Sequence, residues 1–230
     1  MRLRIASYNI HAGIGSDGQF DPARIATVID ELNADVIALQ EVEHHLIEEG
    51  DFLDYLAART GYQAVSGPTL MRETRHYGNA VLTRLPVIAS QRRDISFAGH
   101  EPRAVLEVEL AVASKIITVM ATHLGLWPSE RRSQVRQIVN LLQQSHSDYI
   151  WLMGDLNEWL IWGRPLNWLK HFFRYSHHIA TFPSFFPLLS LDRLWVMPQQ
   201  SLLSVRAHRS KISRQASDHL PLVGEVIIET

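Results

Sequence analysis

The chain has 230 residues, 46% hydrophobic and 20% charged, with a net charge of −2 when histidine is neutral. That length suits one large domain or two small ones, with a sizeable core, and near-neutrality gives no electrostatic basis for tight, unspecific binding along nucleic acid, which draws on many Lys and Arg contacts to phosphate, while leaving room for a local basic patch. With no cysteine, disulfides and Cys-ligated zinc are excluded.

Leu3–Ile10 reads as the first strand, entered directly from Met1-Arg2 with no apolar leader core. A helix is predicted from Asp21-Pro22, a capping residue followed by proline at the first helical position, with Ile25, Val28, Ile29 and Leu32 at helical spacing. Val36–Leu39 is a short buried strand expected to end at Gln40-Glu41. A second helix covers Phe52–Arg59 and stops at Gly61. Strand patterns then crowd together at Ala80–Thr83, Val87–Ser90, Ala104–Leu110 and Ile116–Thr122. A third helix starts near Ser129. Val135, Ile138, Val139 and Leu142 form its apolar stripe, while Arg131, Arg132 and Arg136 read as a solvated face. Tyr149–Met153 is a strand leading into Gly154-Asp155. After a Trp- and Phe-rich stretch come strands near Leu191–Val196 and Leu202–Ala207, and Leu220–Ile228 is the last. No repeat or linker interrupts the pattern, so residues 1–230 are read as a single domain. No stretch is long and apolar enough to span a bilayer. A monomer in the cytoplasm is the expectation. Strands interrupted by helices predict a mixed α/β class, with two packed sheets and helices outside.

Polar residues sit where apolar strands stop: Asn9, Glu41, His123, Asp155 with Asn157, Asp192, and Asp218 with His219. A sheet holds such side chains rigidly while loops give access. The set is rich in hard oxygen donors, which suit magnesium or manganese, and its two imidazoles can donate to phosphate oxygens or move protons near neutral pH. Taken singly, each residue reads equally as a cap, a turn or a satisfied core group; the joint pattern points to a metal, a water and a phosphate.

The segments Ser7-Tyr8-Asn9-Ile10, Leu39-Gln40-Glu41-Val42, Tyr77-Gly78-Asn79-Ala80-Val81-Leu82-Thr83-Arg84, Thr122-His123-Leu124, Gly154-Asp155-Leu156-Asn157, Leu191-Asp192-Arg193 and Ser217-Asp218-His219-Leu220-Pro221 together resemble the endonuclease/exonuclease/phosphatase superfamily, in the order that superfamily shows. The resemblance implies a four-layer α/β/β/α sandwich and divalent-metal-dependent hydrolysis of a phosphodiester with Mg2+ or Mn2+ as cofactor. It implies Glu41, Asn9 and Asp218 as metal residues. His123, Asp155, Asn157, Asp192 and His219 become the catalytic set, and Asn9, Arg103, Asn157 and His219 the phosphate-binding set. Asp155 would orient or deprotonate water, His219 would donate to a phosphate oxygen, and Asp192 would hold its ring. No acidic partner for His123 is placed by the sequence.

The substrate class stays open. A nuclease-like enzyme acting on DNA, RNA or a nucleotide diester comes first by superfamily breadth. A hydrolase of phospholipid headgroups or inositol phosphates is the alternative, with peripheral membrane contact, and a non-catalytic binding module on the same fold is the third. The aromatics of Trp159–Trp168, Phe172-Phe173 and Phe182–Phe186 either pack a long loop onto the sandwich or face a base or a lipid.

Overall fold

The computed structural model describes residues 1–44, 46–47, 50–71, 76–174 and 177–229. In chain order its elements are β1 (Arg2–Asn9), α1 (Pro22–Leu32), β2 (Val36–His44), β3 (Leu46–Ile47), β4 (Gly50–Asp51), α2 (Phe52–Thr60), β5 (Gln63–Met71), β6 (His76–Thr83), β7 (Val87–Asp94), β8 (Ala104–Val112), β9 (Lys115–His123), α3 (Pro128–Gln144), β10 (Tyr149–Asp155), α4 (Arg164–Phe173), β11 (Asp192–Met197), β12 (Leu202–Ala207), α5 (Ser213–Ala216) and β13 (Leu222–Ile227).

Two mixed sheets stack face to face. One runs β12-β13-β1-β2-β6-β5 and the other β11-β10-β9-β8-β7. Ile5, Ala38, Val81, Val108, Val119 and Trp151 fill the space between them. The central strands are buried on both faces and accordingly read as near-continuous apolar runs. On the outside of the first sheet, Ile25, Val28 and Ile29 of α1 and Phe52 and Leu56 of α2 pack on Tyr8, Ile37 and Leu39. On the outside of the second, Val135 and Ile138 of α3 and Leu166, Leu169 and Phe173 of α4 pack on Met120, Leu152 and Trp195. Three apolar seams thus bind four layers, the architecture the sequence predicts.

Local chemistry sets the helix ends. The Asp21 carboxylate accepts the Arg24 amide at 2.9 Å, with Pro22 at the first position of α1. Asp51 accepts the Leu53 amide at 2.9 Å to cap α2, and Gly61 ends that helix at φ +73°, a conformation glycine adopts without steric cost.

Three elements differ from the sequence expectation. β2 does not end at Glu41. Its register against β6 shifts between Leu39 and Val42, and it continues to His44. Glu41 stands at φ +56° within that shift, the local kink of a bulge, which re-aims a side chain without ending the strand. β5, carrying Gly67 and Pro68, has too little apolar alternation to be read from sequence; it pairs at the sheet edge with β6, where proline is tolerated. The aromatic stretch after Asp155 contains a helix, α4, whose Phe173 stacks on Trp195 at 5.5 Å between ring centroids.

Candidate active site

β1 ends at Asn9, β9 at His123 and β10 at Asp155. In the second sheet Asp155 lies opposite His123 across a parallel ladder and opposite Asp192 across an antiparallel one. The segment Ser217–His219 lies just ahead of β13, which runs antiparallel to β1. Both sheets therefore deliver polar side chains to one end of the sandwich. Close approach of the backbones there requires Gly154: a Cβ at this position would stand 1.8 Å from the Thr122 carbonyl oxygen.

Asp155 Oδ2 is the point of convergence. Asn9 Nδ2 donates to it at 3.2 Å and to Glu41 Oε1 at 2.8 Å. His219 Nε2 stands 3.6 Å from it and His123 Nε2 3.7 Å, with His123 Nε2 also 3.9 Å from Glu41 Oε1. The other oxygen of Asp155 accepts the Asn157 amide at 2.8 Å. Asn157, at φ +50°, sends its Nδ2 to the Leu124 carbonyl at 2.8 Å and stands 3.1 Å from His123 Nε2. Left-handed backbone of this kind is tolerated best by Gly, Asn and Asp.

Asp192 holds His219. Its Oδ2 accepts His219 Nδ1 at 2.8 Å and the Thr181 hydroxyl at 2.5 Å. Ser217 fixes the same segment: its Oγ donates to the Asn9 carbonyl at 2.7 Å and accepts the His219 amide at 3.2 Å. The Phe182 ring lies 4.9 Å from the His219 ring. Asn9, His123, Asp155, Asp192 and His219 are all buried, so each charge there depends on its neighbours. Burial and the charge of Asp192 raise the Asp155 carboxyl to about 6, against the opposing pull of His219. Burial by itself would lower His219, but the charge and hydrogen bond of Asp192, with Asp155 and Asp218, raise it to about 10. Near neutral pH His219 is an imidazolium beside an ionised Asp155.

His123 has the opposite state. Burial, then the positive charges of Arg103 and His219, hold it well below the ordinary histidine range. Arg103 Nη1 stands 3.1 Å from His123 Nδ1 and 3.2 Å from Glu101 Oε1. A guanidinium can only donate, and donors face both ring nitrogens, Arg103 Nη1 at Nδ1 and Asn157 Nδ2 at Nε2. The position for which no acidic partner could be read is filled by a cation.

Two further residues surround this core. Tyr77 borders the same pocket as Arg103 and His123, and burial followed by the charge of Glu41 holds its phenol protonated. Arg193, buried beneath the site, donates to the Ser190 carbonyl at 2.5 Å and the Glu158 carbonyl at 3.2 Å. Thr181 carries no sequence signal; Arg193 and Tyr77 lie within motif segments but have no spacing that marks them.

Arg131 overturns the reading of a solvated face on α3. It is buried; its Nε pairs with Glu158 Oε2 at 3.3 Å and its Nη1 donates to the Leu126 carbonyl at 2.5 Å. It ties the loop after β9 to the loop after β10. Arg132 is half-buried, and Arg136 is exposed and lies over the Trp168 ring at 5.0 Å.

Two donor sets compete for a cation. Ligand atoms of Asp155, Asp192 and His219 lie within 4.8 Å of one another, but His219 Nδ1 is already committed to Asp192. Glu41 and Asp155 instead turn two carboxylate oxygens towards one Asn9 amide, and the hard oxygen chemistry of that set fits Mg2+ or Mn2+. Asp218 stands at the margin. It is half-buried, accepts Ser217 Oγ at 3.4 Å and lies 3.9 Å from His11 Nδ1.

A family model described as the Endonuclease/Exonuclease/phosphatase family matches residues 6–219. YbhP of Escherichia coli K12, itself called an uncharacterized protein, is 30% identical over 243 aligned positions, covering 97% of this chain and 96% of YbhP. Among solved structures, the endonuclease/exonuclease/phosphatase of Bacteroides vulgatus superposes with a TM-score of 0.81 at 16% identity, over 100% of both chains. The structure of D. rerio TDP2 complexed with a single-strand DNA product superposes with a TM-score of 0.71 at 16% identity, covering 99% of each chain. The converging carboxylates and imidazoles, the two stacked sheets and these matches place the chain in the endonuclease/exonuclease/phosphatase family.

Proposed function

We propose that this protein is a divalent-metal-dependent phosphodiesterase that cleaves its substrate by attack of water. The observation that supports the reading is the convergence on Asp155 Oδ2 of two imidazoles and the Asn9 amide, which also holds the Glu41 carboxylate.

Asp155 accepts a proton from the attacking water; a value raised to about 6 keeps it ionised at neutral pH yet basic enough to take that proton. His219 donates from Nε2 to a non-bridging phosphoryl oxygen as charge builds there. Asp192 and Thr181 fix its ring, as a carboxylate orients a catalytic imidazole. Neutral His123, held between Arg103 at Nδ1 and Asn157 at Nε2, lines the space for the phosphoryl group and the departing oxygen. Asn157 lines the same space. Glu41 and Asn9, with Asp155 beside them and Asp218 at the margin, would hold Mg2+ or Mn2+. When bound, that ion supplies positive charge at the phosphoryl oxygens.

This chemistry serves any phosphodiester, whether of a nucleic acid, a nucleotide or a phospholipid headgroup. A nuclease-like role draws support from the D. rerio TDP2 structure, which is a complex with a single-strand DNA product. Purified protein should hydrolyse bis(4-nitrophenyl) phosphate with Mg2+ or Mn2+ and lose that activity in EDTA. Asp155→Ala and His219→Ala should each lower the rate by about 100- to 1,000-fold or more while remaining folded by circular dichroism. A rate indifferent to chelation, or wild-type turnover in either variant, sinks the reading.

A further inference from the structure

Among the described residues, nine of the fifteen exposed large apolar side chains fall in three loops at the active-site end of the sandwich. Leu126 and Trp127 follow His123, the last residue of β9, and are 69% and 62% exposed. Trp159, Leu160, Ile161 and Trp162 follow Asp155, with Trp162 70% exposed. Phe185, Phe186 and Leu188 precede Asp192 and are each about two-thirds exposed. Loops of a water-soluble protein gain nothing from such side chains unless something covers them.

The same loops are anchored from below. Arg131 holds the Leu126 carbonyl and the Glu158 carboxylate. Arg193 ties Ser190 to Glu158. Ser184 donates its hydroxyl to the Ser217 carbonyl at 2.7 Å, next to Asp218 and His219. The apolar side chains are therefore displayed on stitched loops that also carry the site. A groove lined by Leu126, Trp159, Leu160, Arg132 and Arg164 runs directly to Asn157.

Charge is distributed unevenly along the chain that contributes to this rim. Residues 159–217 contain eight Lys or Arg but one acid, Asp192, which is buried in the site. The net charge of −2 conceals a cationic segment balanced by acids elsewhere. Arg164 is exposed beside Trp162, and Arg209, Lys211 and Arg214 are exposed on the segment that Ser184 grips. Trp and Phe with flanking cations suit the interface of an anionic bilayer. Nucleic acid also seeks cations and aromatic faces, but Leu126, Leu160, Ile161 and Leu188 have no π face on which a base could stack. Hydrocarbon accepts aliphatic and aromatic side chains alike.

We infer that these three loops form a docking face for an anionic phospholipid surface, and that the site cleaves the phosphodiester of a lipid headgroup presented there. The substrate half rests on the phosphodiesterase reading; the docking half does not. The test uses the full chain with vesicles of phosphatidylcholine, with and without phosphatidylglycerol, read by co-sedimentation and by release of phosphorylated headgroup. Wild type should pellet with the anionic vesicles. The pairs Trp159→Ala with Trp162→Ala, and Phe185→Ala with Phe186→Ala, should each weaken that association by ~10-fold or more, equivalent to about 1.4 kcal/mol. Both pairs should keep the wild-type rate on bis(4-nitrophenyl) phosphate and lose rate on vesicles. Ile88→Ala, exposed on β7 away from the site, should change neither.

Failure of wild type to bind anionic vesicles overturns the inference. So does a wild-type dimer that the rim variants convert to monomer, or rim variants that lose single-stranded DNA binding while keeping vesicle binding. Vesicle binding that depends on the rim, without hydrolysis of either substrate, supports the docking face and overturns the phosphodiesterase reading alone.

Discussion

At the scale of single residues, the site separates two histidines that sequence alone cannot tell apart. His219 Nδ1 is held by the Asp192 carboxylate, whereas His123 Nδ1 faces the Arg103 guanidinium. The consequence is a pH profile. The rate on a soluble phosphodiester should rise as Asp155 ionises, at or below about pH 6, and fall as His219 loses its proton near pH 10. Asp192→Asn removes the largest influence raising His219, so its alkaline limb should move down by more than one pH unit; a limb that stays in place contradicts the assignment. The same shift bears on stability. His219 has a folded value of about 10 against an ordinary 6.5, so its contribution is complete below about pH 6.5 and is lost as pH rises towards 10. Urea midpoints of wild type and Asp192→Asn, compared at both ends of that window, should converge at the alkaline end. Glu41 poses a further local question. It occupies φ +56°, a conformation that costs a non-glycine residue on the order of 1–3 kcal/mol. Glu41→Gln should keep the fold and lose the rise in melting temperature that Mn2+ gives wild type.

At the scale of elements, the ends of β9 and β10 are joined more closely than ordinary strands permit. Gly154→Ala forces a methyl group against the Thr122 carbonyl oxygen. Displacing backbone in a packed interior costs roughly 1–3 kcal/mol or more, so the variant should unfold at lower urea and lose activity together. Arg131 acts between elements in another way, because its charge is buried against Glu158. Arg131→Met leaves the Glu158 carboxylate buried without its partner, which elsewhere costs about 3–5 kcal/mol. Limited proteolysis of this variant should cut first between Leu124 and Gly163, where the two bridged loops lie. Resistance equal to wild type would deny Arg131 its bracing role.

At the scale of the whole molecule, a near-neutral total charge coexists with a segment in which basic residues outnumber acids eight to one. Of these, Arg164, Arg209, Lys211 and Arg214 are exposed beside the loops that carry the site. Attraction between exposed charges is screened over about 10 Å at 0.1 M salt. Association with anionic vesicles should consequently weaken as salt is raised, but should not vanish, because the apolar rim contributes a part that salt does not screen. Complete release by moderate salt would mean that the exposed Trp, Phe and Leu side chains stay in water. The four layers make this asymmetry possible: the loops at one end of two stacked sheets share a surface while helices cover the remaining faces.

The sequence by itself determined the layered class, the main strands and helices, and the polar positions at strand ends. Each follows from local periodicity, caps or the abrupt end of an apolar run, as at Asp21-Pro22, Asn9 and Asp155. It did not reveal β5, whose Gly67 and Pro68 interrupt any alternation, nor the continuation of β2 past Glu41, because a bulge depends on the partner strand β6. Only the tertiary structure decided that Arg103 rather than an acid meets His123, that Thr181 holds Asp192, and that Arg131 is buried. Those are contacts between residues 11 to 27 positions apart, and no local pattern encodes them. The aromatic stretch divides for the same reason. Phe173 is buried because α4 lies against Trp195, and Trp162 is exposed because the loop ahead of α4 has no layer above it. Composition sets how many apolar side chains there are; packing alone sets which of them meet water.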